Sequence, residues 1–167
     1  MLLKELTENV AIKEVLGEEA EVLSLALNTK NVAKDAMFFA LRGEKFDGND
    51  FIDEAIKAGA VAICTERKPK VMVENVCYII VEDAHAACAI ISSNFYGNPS
   101  SKLKLVGITG TNGKTTVASL SAELMRGLGY KVGLISTVGD KVLGEKTIEI
   151  ESGRTTPTTP DSIVINE

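Results

Sequence analysis

The chain has 167 residues, 45% of them hydrophobic and 25% charged, with a formal net charge of −5. This is the composition of an ordinary globular protein of one large or two small domains, and it excludes a disordered or fibrous chain. No stretch concentrates Lys and Arg, which excludes a nucleic-acid surface, and no apolar run approaches the length that spans a bilayer.

The first residues, Met1-Leu2-Leu3-Lys4-Glu5-Leu6, lack the apolar core of a secretory signal. A cytoplasmic location with reduced thiols is therefore expected. Residues 22–27 and 37–41 read as strands. Residues 50–58 read as a helix with Phe51, Ile52, Ala55 and Ile56 on one face, closed by Gly59. Residues 61–64 and 76–81 are short apolar runs, read as buried strands. Asp83 is placed to cap a helix running to about Tyr96, whose Ala87, Ile90, Ile91 and Phe95 share a stripe. Cys64, Cys77 and Cys88 sit in apolar runs with no His or Cys at ligand spacing, and read as small buried thiols.

Gly97-Asn98-Pro99-Ser100-Ser101 cannot extend a helix, so a domain boundary is placed there, with one domain over 1–98 and a second beginning at 99. The pattern then restarts. Residues 103–108 read as a strand, followed by a glycine loop and a helix from Thr115 to about Leu128. Val117, Leu120, Leu124 and Leu128 of that helix are expected to face a sheet, Gly129 closes it, and 131–136 is the next strand. Strand, helix and strand in this order imply a parallel sheet, and the fold class is α/β. Residues 142–150 read as a hairpin or an excursion, and 155–161 as loop, with Asp161 able to cap a short helix.

The loop is Gly110-Thr111-Asn112-Gly113-Lys114-Thr115-Thr116. Phosphate oxygens are met best by backbone N–H groups at close range, which requires glycine, and by the positive end of a following helix. A lysine at the turn reaches the outer phosphates, and the next hydroxyl can bind Mg²⁺. Gly110, Gly113, Lys114 and Thr115 fill those roles in order. The longer pattern GxxxxGK[ST] would need glycine where the chain has Ile108, so the fit is to the shorter G-x-x-G-K-T form. A Gly-rich turn with a surface lysine is the plain alternative; the strand–loop–helix context favours the phosphates of ATP.

From Gly107 to Thr116 the chain resembles the signature of the Mur ligases, the ATP-dependent enzymes that build the peptide stem of peptidoglycan. Three further stretches are similar to the diaminopimelate- or lysine-adding (MurE) type: Val32…Met37-Phe38-Phe39-Ala40-Leu41-Arg42-Gly43…Asp47-Gly48…Phe51, Phe95-Tyr96-Gly97-Asn98-Pro99-Ser100, and Thr158-Thr159-Pro160-Asp161. The resemblance implies a small α/β domain over 1–98 that binds a UDP-muramyl dipeptide. It implies over 99–167 the first part of a parallel-sheet ATPase domain, without the family's C-terminal domain. In it the amides of Gly110 to Thr116 cradle ATP, Lys114 holds the γ-phosphate, and Thr115 ligates Mg²⁺. Asn28, Thr29 and Lys30 stand where the family reads Asp-Ser-Arg, and with Thr158 and Thr159 they would contact the muramyl substrate.

The family's Arg becomes Lys30, which loses the bidentate fork; an expected glycine is Asp35, and an Asn before Thr158 is Pro157. On residue chemistry alone Thr158 and Thr159 are linker residues, and only the resemblance makes them substrate contacts. Asp47-Gly48 is either a plain turn or, by resemblance, a flank of the substrate pocket. His85, the single histidine, reads as a helix-end residue.

The activity implied is activation of the D-glutamate carboxylate as an acyl phosphate, which an amine of diaminopimelate or lysine then attacks, by an enzyme that is monomeric when whole. The chain reads as the front part of such a ligase, expected to bind without catalysing. Other superfamily ligases (D-Ala-D-Ala-adding or folylpolyglutamate synthetases) and a non-catalytic binding module are the alternatives.

Overall fold

The computed structural model describes residues 1–43, 46–143 and 160–167, together with the strand pairing of 147–150. They form two compact units, Met1–Lys102 with Asn166–Glu167, and Leu103–Ile165. Thr158 and Thr159 lie outside the described residues.

The first unit is built on a five-stranded sheet in the order β1-β5-β4-β3-β2, with β1 at Ile12–Leu16, β2 at Ser24–Ala26, β3 at Ala36–Phe39, β4 at Ala60–Thr65 and β5 at Cys77–Val81. β2, β3, β4 and β5 are mutually parallel, whereas β1 pairs antiparallel with β5. Every residue of β3 and β5 is buried, the pattern of strands covered on both faces. Helix α2, Ile52–Ala58, contacts β4 and puts Ile52 and Ala55 into the core beside Phe38, Ile63 and Tyr78. Helix α3, Ala84–Phe95, contacts β4 as well and buries Ala84, Ala87, Cys88 and Ile91.

The α/β class and the mainly parallel sheet are as expected. Gly59 ends α2 at φ 118°, a left-handed cap that glycine adopts without strain, and the Asp83 carboxylate accepts from the Ala86 N–H at 2.9 Å. The unit runs past position 98 because the 3-10 turn Pro99–Lys102 folds back: the Ser101 N–H and hydroxyl both donate to the Asn98 carbonyl, at 3.1 and 2.7 Å. Two elements carried no clear sequence signal. Helix α1, Leu3–Leu6, is tied to α3 by the Asn94 amide, which donates to the Leu6 and Glu8 carbonyls at 2.9 Å. Strand β1 is an edge strand whose central Lys13, Glu14 and Val15 are exposed, so it lacks a buried alternation.

In the second unit, helix α4 spans Lys114–Gly127, followed by β6 at Val132–Ser136, β7 at Gly139–Leu143 and β8 at Thr147–Ile150. These strands form an antiparallel sheet in the order β6-β7-β8. The hairpin expected over 142–150 is thus present, beginning at Gly139. The strand expected over 103–108 is not: those residues pair with no strand among the described residues, and Leu105 and Val106 are 74% and 80% exposed. A strand needs a neighbour to take its backbone hydrogen bonds, and among the described residues of this unit the strand pairs are antiparallel. Helix α4 contacts β6 and β7 and buries Ala122, but Val117, Leu120, Leu124 and Leu128 are exposed rather than packed on a sheet. Helix α5, Ser162–Asn166, is capped by Asp161, whose carboxylate accepts from the Ile163 and Val164 N–H groups at 3.1 Å.

Candidate functional site

Two sets of residues carry the site chemistry, one in each unit. The first gathers at the carboxyl ends of the parallel strands, where open α/β sheets hold their ligands. Asn28, Thr29 and Lys30 follow β2. The Asn28 side chain accepts from the Lys30 N–H at 3.0 Å and so caps the 3-10 turn Thr29–Asn31. Thr29 Oγ1 donates to Glu54 Oε1, in the first turn of α2, at 2.8 Å. The structure therefore places all three residues on one short turn beside the start of α2.

After β3 and β4 comes a denser network. Asp47 Oδ1 accepts from the Asn49 N–H at 3.0 Å and from its side-chain amide at 2.6 Å, while Oδ2 pairs with Arg67 at 3.3 Å. Thr65, fully buried at the end of β4, donates its hydroxyl to Asn49 Oδ1 at 2.6 Å. The Asn49 side chain, then its N–H, with Arg67 and Arg42 nearby, hold the Asp47 carboxyl below its ordinary value of 3.8 against the opposing effect of burial. Gly48 is required by crowding: a Cβ there would stand 2.5 Å from the Leu41 carbonyl oxygen and 2.6 Å from its nitrogen. Asp47-Gly48 is thus a turn locked to the end of β3.

Asn49, Thr65 and Arg67 were not singled out from sequence. The one available signal was a threonine closing an otherwise apolar strand run. His85, exposed at the start of α3, brings Nε2 within 3.3 Å of the Arg42 carbonyl oxygen, to which it donates in the Nε2–H tautomer. The α3 amino end is further fixed by the Ala84 N–H donating to Glu66 at 3.0 Å. Phe46, 71% exposed, stands beside this network with its ring edge-on to Phe51. Two shallow depressions, lined by residues such as Leu23, Asp35 and Val61, or Gly17, Met72 and Val76, lie at the opposite, amino edge of the sheet. We place the site at the carboxyl edge, because the polar side chains converge there.

The second set is the loop before α4. Gly110 and Gly113 have φ of 146° and 78°, angles that residues with side chains rarely adopt. A Cβ at Gly113 would meet nothing within 4 Å, so the backbone angle, not crowding, demands glycine there. Gly113 is the residue before α4, and the first intrahelical bond runs from the Val117 N–H to its carbonyl at 2.9 Å. The amides of Lys114, Thr115 and Thr116 are left at the open end of a 14-residue helix, where its dipole is positive. Lys114 Nζ donates to the Gly110 and Thr111 carbonyl oxygens, which holds the ammonium over the loop. Thr115 Oγ1 lies 3.3 Å from Thr137 Oγ1, in the turn after β6, a neighbour the sequence did not indicate. Thr111 and Asn112 are exposed at the tip, so the loop is open to a ligand.

Cys64, Cys77 and Cys88 are all buried, and burial pushes the Cys64 thiol up to about 12. No helix among the described residues is long and apolar enough to cross a membrane.

Residues 21–96 match the model of the Mur ligase family, catalytic domain, and residues 108–167 match that of the Mur ligase middle domain. The chain is 44% identical over its whole length to the UDP-N-acetylmuramoyl-L-alanyl-D-glutamate--2,6-diaminopimelate ligase of Cytophaga hutchinsonii, covering 34% of that protein. It is 42% identical, over 94% of its length, to a ligase of the same name from Clostridium acetobutylicum, of which it covers 32%. The chain thus spans about a third of the length of the curated relatives it matches. Among solved structures it resembles the MurF ligase of Thermotoga maritima in complex with ADP, with a TM-score of 0.50 and 33% identity over 68% of this chain and 26% of that one. A solved UDP-N-acetylmuramoyl-L-alanyl-D-glutamate--2,6-diaminopimelate ligase shares the fold, with a TM-score of 0.60 and 24% identity over 87% of this chain and 28% of that one. With both matched regions in order along the chain, and the glycine loop opening the second, the chain belongs to the Mur ligase family.

Proposed function

We propose that the protein serves an ATP-dependent amide ligase of peptidoglycan precursor synthesis, joining diaminopimelate or L-lysine to UDP-N-acetylmuramoyl-L-Ala-D-Glu. The relatives named above are diaminopimelate ligases, which supports the first amino acid. The observation that carries the reading is the start of α4: two glycines with positive φ, an open helix end, and an ammonium held over the loop. These features fit the phosphates of ATP. Gly110 to Thr116 would supply amides, Lys114 would neutralise the outer phosphates, and Thr115 would offer its hydroxyl to Mg²⁺. ATP, when bound, supplies the phosphoryl group that activates a carboxylate; the residues of the loop position it and balance its charge.

The carboxyl edge of the first unit is proposed as the seat of the UDP-muramyl dipeptide, with Asn28, Thr29 and Lys30 at one end and the Asp47 network at the other. Thr158 and Thr159 are proposed as further substrate contacts by family likeness alone. Domain roles follow: residues 1–98 hold the muramyl substrate and 99–167 begin the ATP-binding domain. Work of this kind belongs in the cytoplasm, and the whole enzyme is proposed to act as a monomer.

For these 167 residues by themselves the proposal is narrower, since they span about a third of their relatives: they bind both ligands and form no amide bond. The test is incubation with ATP, Mg²⁺, the muramyl dipeptide and diaminopimelate or L-lysine, alongside titration of a fluorescent ADP analogue. Nucleotide binding without tripeptide product is expected. Tripeptide would overturn the narrower reading, and absence of nucleotide binding by folded protein would overturn the assignment of the loop.

A further inference from the structure

Thr115 Oγ1 and Thr137 Oγ1 lie 3.3 Å apart, although 22 positions separate them in the chain. Each is held by its own element. Thr115 stands in the first turn of α4. Thr137 and Val138 form the two-residue turn between β6 and β7, closed by the Ser136↔Gly139 pairing and braced by Ser136 Oγ, which donates to the Gly139 carbonyl at 3.2 Å. Helix α4 contacts β6, so the two hydroxyls meet where the helix starts and the strand ends. Either hydroxyl can be the donor in this pair. A divalent cation at Thr115 removes that freedom. A neutral hydroxyl ligates through an oxygen lone pair, so its proton turns away from the metal, and the nearby charge makes it a stronger donor. That proton needs an acceptor, as the remaining hydrogen of a metal ligand regularly does. Thr137 Oγ1 is the acceptor at hand.

From this pairing we infer that Thr137 is a positioning residue for Mg²⁺: its hydroxyl oxygen accepts the Thr115 proton and so turns the Thr115 lone pairs toward the cation. The inference rests on the reading of Thr115 as a Mg²⁺ ligand, and it extends the site beyond the glycine loop to the turn after β6. Thr137 touches neither the metal nor a reacting atom and acts only through Thr115. Its part is therefore felt when the metal is present. Nucleotide bound without Mg²⁺ meets the loop amides and Lys114 alike, whether or not position 137 carries an oxygen.

The experiment is titration of a fluorescent, non-hydrolysable ATP analogue into the unsubstituted chain and into Thr137→Val, Thr137→Ser, Thr115→Val and the Thr115→Val/Thr137→Val pair. Each titration is run with Mg²⁺ and again with EDTA, and each variant's fold is checked by circular dichroism. Thr137 is exposed, so its substitution leaves no buried group unpaired. With Mg²⁺, Thr137→Val is expected to weaken binding about threefold to tenfold, the size of one hydrogen bond. With EDTA it should bind as the unsubstituted chain does. Thr137→Ser, which keeps the acceptor oxygen, should recover most of the loss, and Thr137→Val should cost nothing further in a chain that already carries Thr115→Val. Equal losses with and without Mg²⁺ would mark a structural effect on the loop and overturn the inference. Unchanged binding, additive losses in the double variant, or no recovery by Thr137→Ser would overturn it too. If Mg²⁺ does not strengthen binding to the unsubstituted, folded chain, the reading of Thr115 as its ligand falls and the inference with it.

Discussion

The two units treat their apolar residues in opposite ways. In the first, β3 and β5 are buried end to end and Phe38, Phe39, Ile63 and Tyr78 are almost wholly shielded from solvent. In the second, helix α4 exposes Val117, Leu120, Leu124 and Leu128, and the preceding segment exposes Leu103, Leu105 and Val106. The candidate site residues follow the same division. The carboxyl-edge network hangs from a covered sheet and is cross-linked by Asp47, Asn49 and Thr65, whereas the glycine loop is held mainly by its own backbone angles and the bonds of Lys114. A binding surface can thus be organised by a core beneath it or by local conformation alone, and the two should respond differently to mutation.

The largest expected effect tests the core. Phe38→Ala should destabilise the first unit by about 3–5 kcal/mol in denaturant titration, the range for deleting a buried aromatic. Leu120→Ala, on the exposed face of α4, should stay within about 0.5 kcal/mol. An equal loss at Leu120 would mean that this face is covered in solution and would erase the contrast.

Next comes the loop. Lys114→Ala should weaken binding of an ADP analogue by roughly 10–100-fold, the value of a hydrogen bond to a charged group, without lowering the melting temperature of the first unit. Thr65→Val should strip the buried donor from Asn49 and cost about 1–3 kcal/mol in the first unit, again read by denaturant titration.

The acid limb gives a smaller signal. Asp47 is held below 3.8 chiefly by the Asn49 amide, so its folded value is the depressed one. Its contribution is therefore full above the unfolded value and is lost as pH falls through the folded value, a window below about pH 4. Asp47→Asn should flatten that part of the stability–pH curve; an unchanged slope would remove Asp47 as its source. The smallest effect is expected at Asp35, which lies at φ 58°. Glycine is at ease in that left-handed region and aspartate is tolerated there, so Asp35→Gly should be neutral or stabilising by up to about 1 kcal/mol, while Asp35→Val should be clearly destabilising.

Those angles also explain what was legible in the sequence. Gly59, Asp83 and the glycines of the loop announce themselves because their roles are local, set by φ or by a cap within a few residues. The departure at Asp35 makes sense on the same basis, since the position asks for a left-handed residue and not for glycine's size. The parallel strands β3, β4 and β5 were legible as apolar runs because they are buried on both faces. Strand β1 was not, because an exposed edge needs no alternation, and its pairing with β5 joins residues far apart in the chain. The strand read at 103–108 failed for the converse reason: apolar residues propose a strand, but only a neighbour makes one. The cluster of Asn49, Thr65 and Arg67 was invisible because it assembles from two separate strand ends, and no spacing along the chain records such a meeting. Glu54 was hidden likewise, 25 positions from the threonine it holds.

The most direct measurement is calorimetric titration of UDP-N-acetylmuramoyl-L-Ala-D-Glu into the folded chain. Saturable binding that Thr29→Val weakens and Lys114→Ala leaves untouched is expected if the carboxyl edge of the first unit seats the muramyl substrate independently of the nucleotide loop. No heat of binding from folded protein, or binding lost on changing Lys114 and indifferent to Thr29, would contradict it.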